Sequence, residues 1–168
     1  MKSILLIILF LLTCLDQKSI AQATFQRTYG GINAEVANSV QQTFDGGYIL
    51  AGNTWSYAPP AGGNGYLVRT DANGDTLWMK FFGGMKTEVF YSVQQTADSG
   101  FIVCGETTSF KIDTVNLNYD LYLMKLDKNG IVIWTRTIGE IGTDFGNSVK
   151  QTSDGGYIVA GRTSSNDG

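Results

Sequence analysis

The sequence contains no histidine, and only two cysteines and two prolines occur among its 168 residues. The lack of histidine excludes Ser-His-Asp and Cys-His catalysis and histidine-based zinc or iron sites. Cys14 lies in the apolar N-terminal segment, and Cys104 lies within the apolar run FIVCG. Cys104 has no partner base, so we interpret it as a small buried residue rather than a nucleophile. If the N-terminal segment is removed, one cysteine remains and no internal disulfide can form.

Long hydrophobic runs are also missing, except at the N-terminus, which reads MKSILLIILFLLTCLDQKSIAQA. Its basic Lys2, its apolar run over residues 4–12 and its small-x-small end at Ala21–Ala23 predict a secretory signal peptide, residues 1–23. The apolar part is too short for a good membrane span. We therefore expect a secreted or outer-surface protein without a membrane span after cleavage. A lipoprotein anchored through Cys14 is the alternative.

Basic charge is scarce as well. The formal net charge is -3, and removal of Lys2, Lys18 and Asp16 with the signal peptide leaves -4. No run of lysine and arginine remains, and no glycine-rich phosphate loop with a following Lys-Ser/Thr is present. Because phosphate binding requires clustered basic residues, we expect no nucleic-acid partner. The sequence also suggests no cofactor.

Glycine, in contrast, is abundant, with 21 residues, and it recurs within an internal repeat. One stretch occurs three times in similar form: QTFDGGYILAG from residue 42, QTADSGFIVCG from residue 95 and QTSDGGYIVAG from residue 151. The similarity begins at Gly30, Gly83 and Gly139, at offsets of 53 and 56 residues. A second block, which ends in tryptophan, follows the first two copies. The difference in length falls between the two blocks, as is usual for loops of repeat proteins.

Each unit reads as four short strands, which in the first copy are EVANSVQQT, YILAG, YLVRTD and TLWMKFFGG. The Asp-Gly and Asn-Gly pairs between them favour hairpins, because glycine accepts the positive φ of tight turns. The runs YILAG, FIVCG and YIVAG are continuously apolar, which indicates strands buried on both faces. No period near 3.6 is sustained, so we expect almost no helix. Four antiparallel strands repeated at about 50 residues predict an all-β fold with blades of the β-propeller type.

The shared pattern is G-G…E…S-V-x-Q-T-x-D-G-G-Y-I-x-A-G…D-x-N-G…W. It resembles the pattern of the secreted bacterial β-propeller repeat proteins over essentially all of residues 25–168. Members of that group are often large exported chains, some of which end in a sorting domain for type IX secretion. They are mostly uncharacterised, so the resemblance implies a propeller fold and export but no particular activity.

The units are not all complete. Residues 30–78 and 83–134 form two full units, and residues 139–168 form an incomplete third. The segment TFQRTYGG at residues 24–31 corresponds to the end of a unit, and such a strand often completes the last blade of a closed propeller. Because propellers usually close with about four to eight blades, we expect an incomplete propeller. A fragment of a longer chain is the preferred explanation; self-assembly of several copies and an open stack with exposed edges are the others.

Two sets of carboxylates recur at equivalent positions of the three units: Glu35, Glu88 and Asp144, and Asp45, Asp98 and Asp154. A unique active site is not expected to recur in every unit. Aspartate at the start of a glycine turn normally accepts backbone N–H groups, so we interpret the second set as structural. We interpret the first set as polar contacts between blades, and we predict no enzyme. The alternative is a polysaccharide-acting carboxylate enzyme whose site needs the closed propeller.

The stretch DANGD has oxygen ligands at Asp71, Asn73 and Asp75 with a glycine bend, which is typical of calcium loops. Its counterpart DKNGI, from residue 127, lacks the last acid and has a lysine. A plain hairpin turn is therefore the preferred interpretation, with calcium as the alternative.

The loops that differ between units carry aromatic residues. Trp55 and Tyr57 lie in NTWSYAPPAGGN, and Phe110 lies at the same place of the next unit in ETTSFKIDTVNLN. Aromatic residues on loops above a rigid scaffold often bind sugars or peptides. We therefore predict a non-catalytic binding or scaffold module with a glycan or protein ligand at this face. Packing of these rings against their own blade is the alternative.

The signal-peptide interpretation is directly testable. We predict that the native exported protein begins at Thr24, because signal peptidase cleaves after a small-x-small end. Intact mass measurement of the protein from its own cell checks this. A chain that begins with acylated Cys14 would contradict the prediction, and a mass above that of residues 24–168 would identify a longer protein.

Overall fold

The computed structural model describes residues 25–59, 62–111 and 118–164, so the predicted signal peptide and Cys14 lie outside the described residues. The described residues form ten β-strands and no helix. The strands are β1 (Glu35–Gln42), β2 (Tyr48–Thr54), β3 (Asn64–Thr70), β4 (Thr76–Phe82), β5 (Glu88–Gln95), β6 (Phe101–Thr107), β7 (Asp120–Leu126), β8 (Val132–Ile138), β9 (Asp144–Gln151) and β10 (Tyr157–Thr163). Within these ranges there is no helix of membrane-spanning length and hydropathy.

The strands form three antiparallel sheets in which chain neighbours pair with each other. Sheet 1 contains β1 to β4, sheet 2 contains β5 to β8, and sheet 3 contains β9 and β10. The prediction of an all-β fold with four-stranded antiparallel units is thus confirmed for the first two units. The fourth strands continue beyond Trp78 and Trp134, where the sequence repeat ends, to Phe82 and Ile138.

The hairpins turn at the predicted glycine pairs. Gly46 and Gly155 have φ values of 86°, and Gly74 and Gly130 have φ values of 82° and 71°. In the second unit, Ser99 takes the place of Gly46 and adopts φ 65°, a conformation that residues with a side chain rarely adopt. The requirement for a positive φ therefore comes from the turn itself, and it is met even where glycine is missing.

The sheets stack face to face, and the first strand of each following sheet packs most closely on the second strand of the sheet before it. Strand β5 packs on β1, β2 and β3 of sheet 1, and β9 packs on β5, β6 and β7 of sheet 2. As a result every residue of β6 is buried, whereas most of β4 and β8 is exposed. The predicted burial of the second strands on both faces is confirmed for β6, and β2 is buried over most of its length. It is wrong for β10, which is exposed on one face because no described sheet covers that face.

We call the contact between sheets 1 and 2 the first junction and the contact between sheets 2 and 3 the second junction. The core of the first junction includes Ile49 and Leu67 from sheet 1 and Phe90 and Phe101 from sheet 2. The core of the second junction joins Ile102, Cys104 and Leu123 of sheet 2 to Val149 of sheet 3. Each junction thus buries an apolar layer, which is the main source of its stability.

The two junctions divide side-chain volume between their sheets in opposite ways. In the first, the large Phe90 lies over Gly65, where an added Cβ would be 2.5 Å from the phenylalanine ring. In the second, Gly146 takes the place of Phe90 and Leu121 takes the place of Gly65. A Cβ added to Gly146 would be 3.1 Å from the Cγ of Leu121. The volume missing from one sheet is supplied by the other, so both junctions are closely packed.

Polar side chains also join the sheets at the repeated SVQQT stretch. In the first junction, Ser39 Oγ accepts the N–H of Val93 at 3.3 Å and Gln41 Oε1 accepts the N–H of Gln95 at 2.7 Å. In return, the side-chain oxygen of Gln95 accepts the N–H of Phe44 at 2.8 Å. These bonds satisfy backbone groups on the edge of a first strand, which has a strand partner on its other side only.

The second junction repeats these bonds one unit later. Ser92 Oγ accepts the N–H of Val149 at 3.3 Å, and Gln94 Oε1 accepts the N–H of Gln151 at 2.7 Å. The side-chain oxygen of Gln151 accepts the N–H of Ala97 at 2.9 Å. The stretch recurs in the sequence because each copy forms the same bridge to its neighbour.

An edge-on aromatic pair also recurs between consecutive units. The pairs are Phe25–Tyr48 at 5.7 Å, Trp78–Phe101 at 6.0 Å and Trp134–Tyr157 at 5.8 Å between ring centroids. The two tryptophans belong to fourth strands, but Phe25 belongs to the segment that precedes β1. This segment, residues 25–31, therefore lies where the fourth strand of a preceding sheet would lie.

The glutamine bridge predicts an unequal effect of two equivalent substitutions. Gln94→Met should lower the free energy of unfolding by about 1–2 kcal/mol, because it leaves the Gln151 N–H without its acceptor. Lys150 occupies the equivalent position on the open face of sheet 3, so Lys150→Met should change the free energy by less than about 0.5 kcal/mol. Urea unfolding in dilute solution measures both. Equal effects would show that the bridge contributes nothing.

Candidate functional site

The recurring acid at the start of each first strand is enclosed by hydrogen-bond donors. Glu88 is 0% exposed, and its Oε1 accepts the Thr107 hydroxyl at 2.8 Å and the Ser109 N–H at 3.1 Å. Its Oε2 accepts the N–H of Gly84 at 2.9 Å. The carboxylate thus ties β5 to the connection from sheet 1 and to the loop after β6. A group held in this way is in no position to meet a substrate from solution.

The other two members of this set have similar surroundings. Glu35 Oε1 accepts the Thr54 hydroxyl at 2.9 Å. The hydrogen bond from the Ser56 hydroxyl, followed by those from Thr54 and nearby backbone N–H groups, lowers the pKa of Glu35. Asp144 accepts the N–H of Glu140 at 3.3 Å. All three acids therefore accept backbone or hydroxyl donors from the loops beside their own strands.

The recurring aspartate of the first hairpin turn is also bonded within its unit. Asp45 Oδ1 accepts the Thr43 hydroxyl at 2.7 Å and the N–H of Gly47 at 3.3 Å. The guanidinium of Arg69, which is buried in β3, donates to both oxygens at 2.6 Å. The turn aspartate thus supplies the counter-charge for a buried cation, a role that the sequence pattern alone did not indicate.

The second unit repeats this ion pair with lysine. Lys125 Nζ lies 2.9 Å from Asp98, and the aspartate also accepts the hydroxyl of Thr96. The Thr96 hydrogen bond, followed by the lysine, lowers the pKa of Asp98 to about 2. In the third unit Asp154 accepts the hydroxyl of Thr152 and the backbone N–H of the turn. The signal for the cation was present in the sequence as VRTD and MKLD at matching positions.

The calcium candidate forms a hydrogen-bonded turn. Asp71 Oδ1 accepts the N–H of Asn73 at 2.8 Å and of Asp75 at 2.9 Å. The equivalent Asp127 makes the same two bonds, although Ile131 replaces the last acid. Within residues 25–59, 62–111 and 118–164 no group of three or more acidic, cysteine or histidine side chains could hold a metal ion. The turn geometry accounts for these residues without a bound cation.

Tyr57 and Phe110 prove to be equivalent members of the repeat. The serine before each ring and the ring itself lie against the second glycine of the preceding Gly-Gly pair. An added Cβ on Gly31 would be 3.2 Å from the Tyr57 ring, and one on Gly84 would be 3.3 Å from the Phe110 ring. Both rings thus fill the same place above a connection between units.

The same two rings stack on aromatic residues below them. Tyr57 stacks on Phe81 at 4.3 Å, and Phe110 stacks on Tyr122 at 5.5 Å between centroids. These contacts correspond to the alternative stated for the loop aromatics, namely packing against their own unit. The rings remain partly exposed, but their packing holds each loop against its own sheet.

Trp55 differs from these two residues. It is exposed to the same extent as they are, but it occupies the position that Thr108 holds in the next unit, and no ring pair among the described residues includes it. Its indole lies beside Gly63, where an added Cβ would be 3.4 Å from the ring. Its carbonyl accepts Nδ2 of Asn33 at 3.1 Å. We call the edge formed by the β2–β3 and β6–β7 loops and the connections between sheets the loop edge. Ile32 and Met85 are also exposed on this edge.

A buried acid in the second junction was not predicted. Glu106 is 6% exposed and its Oε2 has no hydrogen-bond partner among the described residues. Burial raises the pKa of Glu106, whereas a hydrogen bond from Tyr91 acts in the opposite direction. The equivalent residue of the first unit is Asn53. The available signal was this change from a neutral amide to an acid at a repeated position.

Cys104 is buried, as predicted, and burial raises the pKa of its thiol to about 12. Its sulfur donates to the carbonyl of Gly146 across the second junction at 3.1 Å. A thiol in this state is a poor nucleophile.

No family model matches the chain, and no curated protein matches it.

The Glu106 environment predicts a pH-dependent stability difference. In the folded chain the acid keeps its proton to a higher pH than in the unfolded chain, so its contribution becomes less favourable as the pH rises above about 4.3. Glu106→Gln should therefore raise the free energy of unfolding at pH 7 and have a smaller effect at pH 4. Urea unfolding at both pH values tests this, with Glu140→Gln as an exposed control. An effect of equal size at both pH values would contradict a raised pKa.

Proposed function

We propose that the chain is a non-catalytic β-propeller repeat module of a secreted or cell-surface protein, and that its loop edge binds a glycan or protein ligand. The face-to-face stacking of successive sheets, in which β5 packs on β1 to β3 and β9 packs on β5 to β7, supports the propeller type, because blades stack in this way around a common axis. The position of residues 25–31 supports a larger assembly, since this segment occupies the fourth-strand place of another blade. The chain is then part of a longer or multi-chain propeller.

The environment of the recurring acids supports a non-catalytic role. A carboxylate enzyme of the polysaccharide-acting type would need acids such as Glu35 or Glu88 to reach the substrate. Glu88 is instead fully buried, and its two oxygens accept three donors from the protein. The same position is filled by an acid in every unit, which agrees with a requirement of the fold.

The partly exposed indole of Trp55, which pairs with no other described ring, is the observation that supports ligand binding at the loop edge. The other two aromatic candidates, Tyr57 and Phe110, pack on equivalent glycines and each stacks on an aromatic ring of its own sheet. An exposed indole beside polar loop residues offers a flat apolar surface on which a sugar ring or a peptide side chain can stack.

We expect Trp55→Ala to weaken binding to a glycan or peptide at least tenfold, which corresponds to about 1.4 kcal/mol. Array screening identifies the ligand, and titration calorimetry measures the affinity of each variant. Phe44→Ala is the matched control, because Phe44 is exposed on a hairpin turn between β1 and β2, at the opposite end of the strands. An equal loss in both variants would contradict a loop-edge site. Polysaccharide turnover that is lost in Glu35→Gln would favour the enzyme instead.

A further inference from the structure

Each sheet presents two different faces within the stack. We call the face toward the preceding sheet the front face and the face toward the following sheet the back face. The front faces of sheets 2 and 3 and the back faces of sheets 1 and 2 are covered by the two junctions. Among the described residues no sheet covers the front face of sheet 1 or the back face of sheet 3.

The front face of sheet 1 has the apolar residues of a junction but lacks the neighbour. Val40 is 64% exposed, whereas the equivalent Val93 is 4% exposed in the first junction. A cavity of about 390 Å³ lies on this side of the sheet, between residues 27–29 and strands β1 to β3, and its lining includes Tyr29, Val36 and Leu50. The face therefore carries apolar residues equivalent to those of the covered front faces but is open to solvent.

The back face of sheet 3 is the opposite half of a junction. Ile158 is 61% exposed, whereas the equivalent Ile49 and Ile102 are 0% exposed within the two junctions. Ala160 takes the place of Cys104 next to it. Two apolar residues that are buried in every described junction are thus exposed here.

The polar groups of the two open faces also correspond. In both junctions a serine accepts the N–H of a valine and a glutamine accepts the N–H of a turn residue. On the open faces the equivalent serine is Ser148 of sheet 3, and the equivalent valine is Val40 of sheet 1. The equivalent glutamine is Gln42 of sheet 1, and the equivalent turn residue is Ser153 of sheet 3. The second glutamine acceptor is replaced by Lys150, which cannot accept a hydrogen bond. Two of the three bridging bonds of a junction can therefore form between these faces.

We infer that the front face of sheet 1 in one copy of the chain binds the back face of sheet 3 in a second copy. The inference rests on the proposed function in so far as it treats the sheets as equivalent repeat units. The contact continues the junctions already present within the chain. It joins different faces of the two copies, so it forms a ring or an open head-to-tail chain.

The segment of residues 25–31 leaves room for this partner. It occupies the fourth-strand position in front of sheet 1, as its Phe25–Tyr48 contact shows. Strands β9 and β10 of the second copy are first and second strands, so they occupy different positions in front of that sheet. Both elements can lie against sheet 1 together.

Sedimentation velocity of the purified chain over a concentration series tests the contact. We expect species that increase in steps of one chain mass. Val40→Lys and Ile158→Lys should each weaken association at least tenfold, because each places an ammonium group in an apolar contact. Ile32→Lys and Ile141→Lys are matched controls at exposed loop positions, and they should associate like the unchanged chain.

A mixing experiment distinguishes head-to-tail pairing from pairing of identical faces. The Val40→Lys chain retains its back face and the Ile158→Lys chain retains its front face. An equimolar mixture should therefore form a heterodimer and nothing larger. Failure of the mixture to form a heterodimer would overturn the inference.

Lys150→Gln provides a test by gain of affinity. It restores the acceptor that both internal junctions possess, so the association constant should increase about tenfold for one added hydrogen bond of about 1.4 kcal/mol. A chain that remains monomeric at all concentrations would overturn the inference. An association constant that is unchanged by Val40→Lys, Ile158→Lys and Lys150→Gln would overturn it as well. Neither result affects ligand binding through Trp55, so the failure of this inference and that of the proposed function are distinguishable.

Discussion

The backbone on the open edge of each first strand imposes the main constraint on this structure. A first strand has a ladder partner on one side only, and its other N–H groups need acceptors when a neighbouring sheet covers them. Ser39 and Gln41 supply these acceptors in the first junction, and Ser92 and Gln94 supply them in the second. Because these side chains reach fixed backbone positions, they set the register between sheets as well as holding them together. The apolar layer of each junction then packs within this register.

The two ends of the strands perform different tasks around this common core. At the hairpin turns, Asp45 and Asp98 neutralise cations that are buried in the third strands. At the loop edge, Glu88 and its equivalents bind the N–H and hydroxyl groups of the connections between units. Acids at both ends are thus used by the fold, although they resemble catalytic or metal-binding carboxylates when only the sequence is considered. At the loop edge the rings of Trp55, Tyr57 and Phe110 are all partly exposed.

The hairpins, the four-stranded units and the two-sided burial of β6 could be predicted from the sequence, because they follow from local turn chemistry and strand patterning. The role of Gln41 and Gln94 could not, because a strand pattern does not reveal which neighbour meets which face. The same limit applies to Arg69 and Lys125, whose partners lie 24 and 27 residues away in the chain. Tyr57 and Phe110 are ligand candidates in the sequence because they are aromatic residues on loops at the same place of successive units. Their common packing on glycine became apparent only from the fold.

The exchange of volume between Phe90 over Gly65 and Gly146 under Leu121 has a consequence for how such a chain can change during evolution. If the second unit were duplicated in tandem, a phenylalanine would meet a leucine in the new junction, and if the third unit followed the first directly, a glycine would meet a glycine. The first arrangement is overfilled and the second leaves a void, and both are destabilising. The size of the side chain on each unit must therefore match the size of the side chain that it meets on the neighbouring unit. A tandem copy of the second unit disturbs this match, so the sequence of each unit is constrained by the unit that it follows.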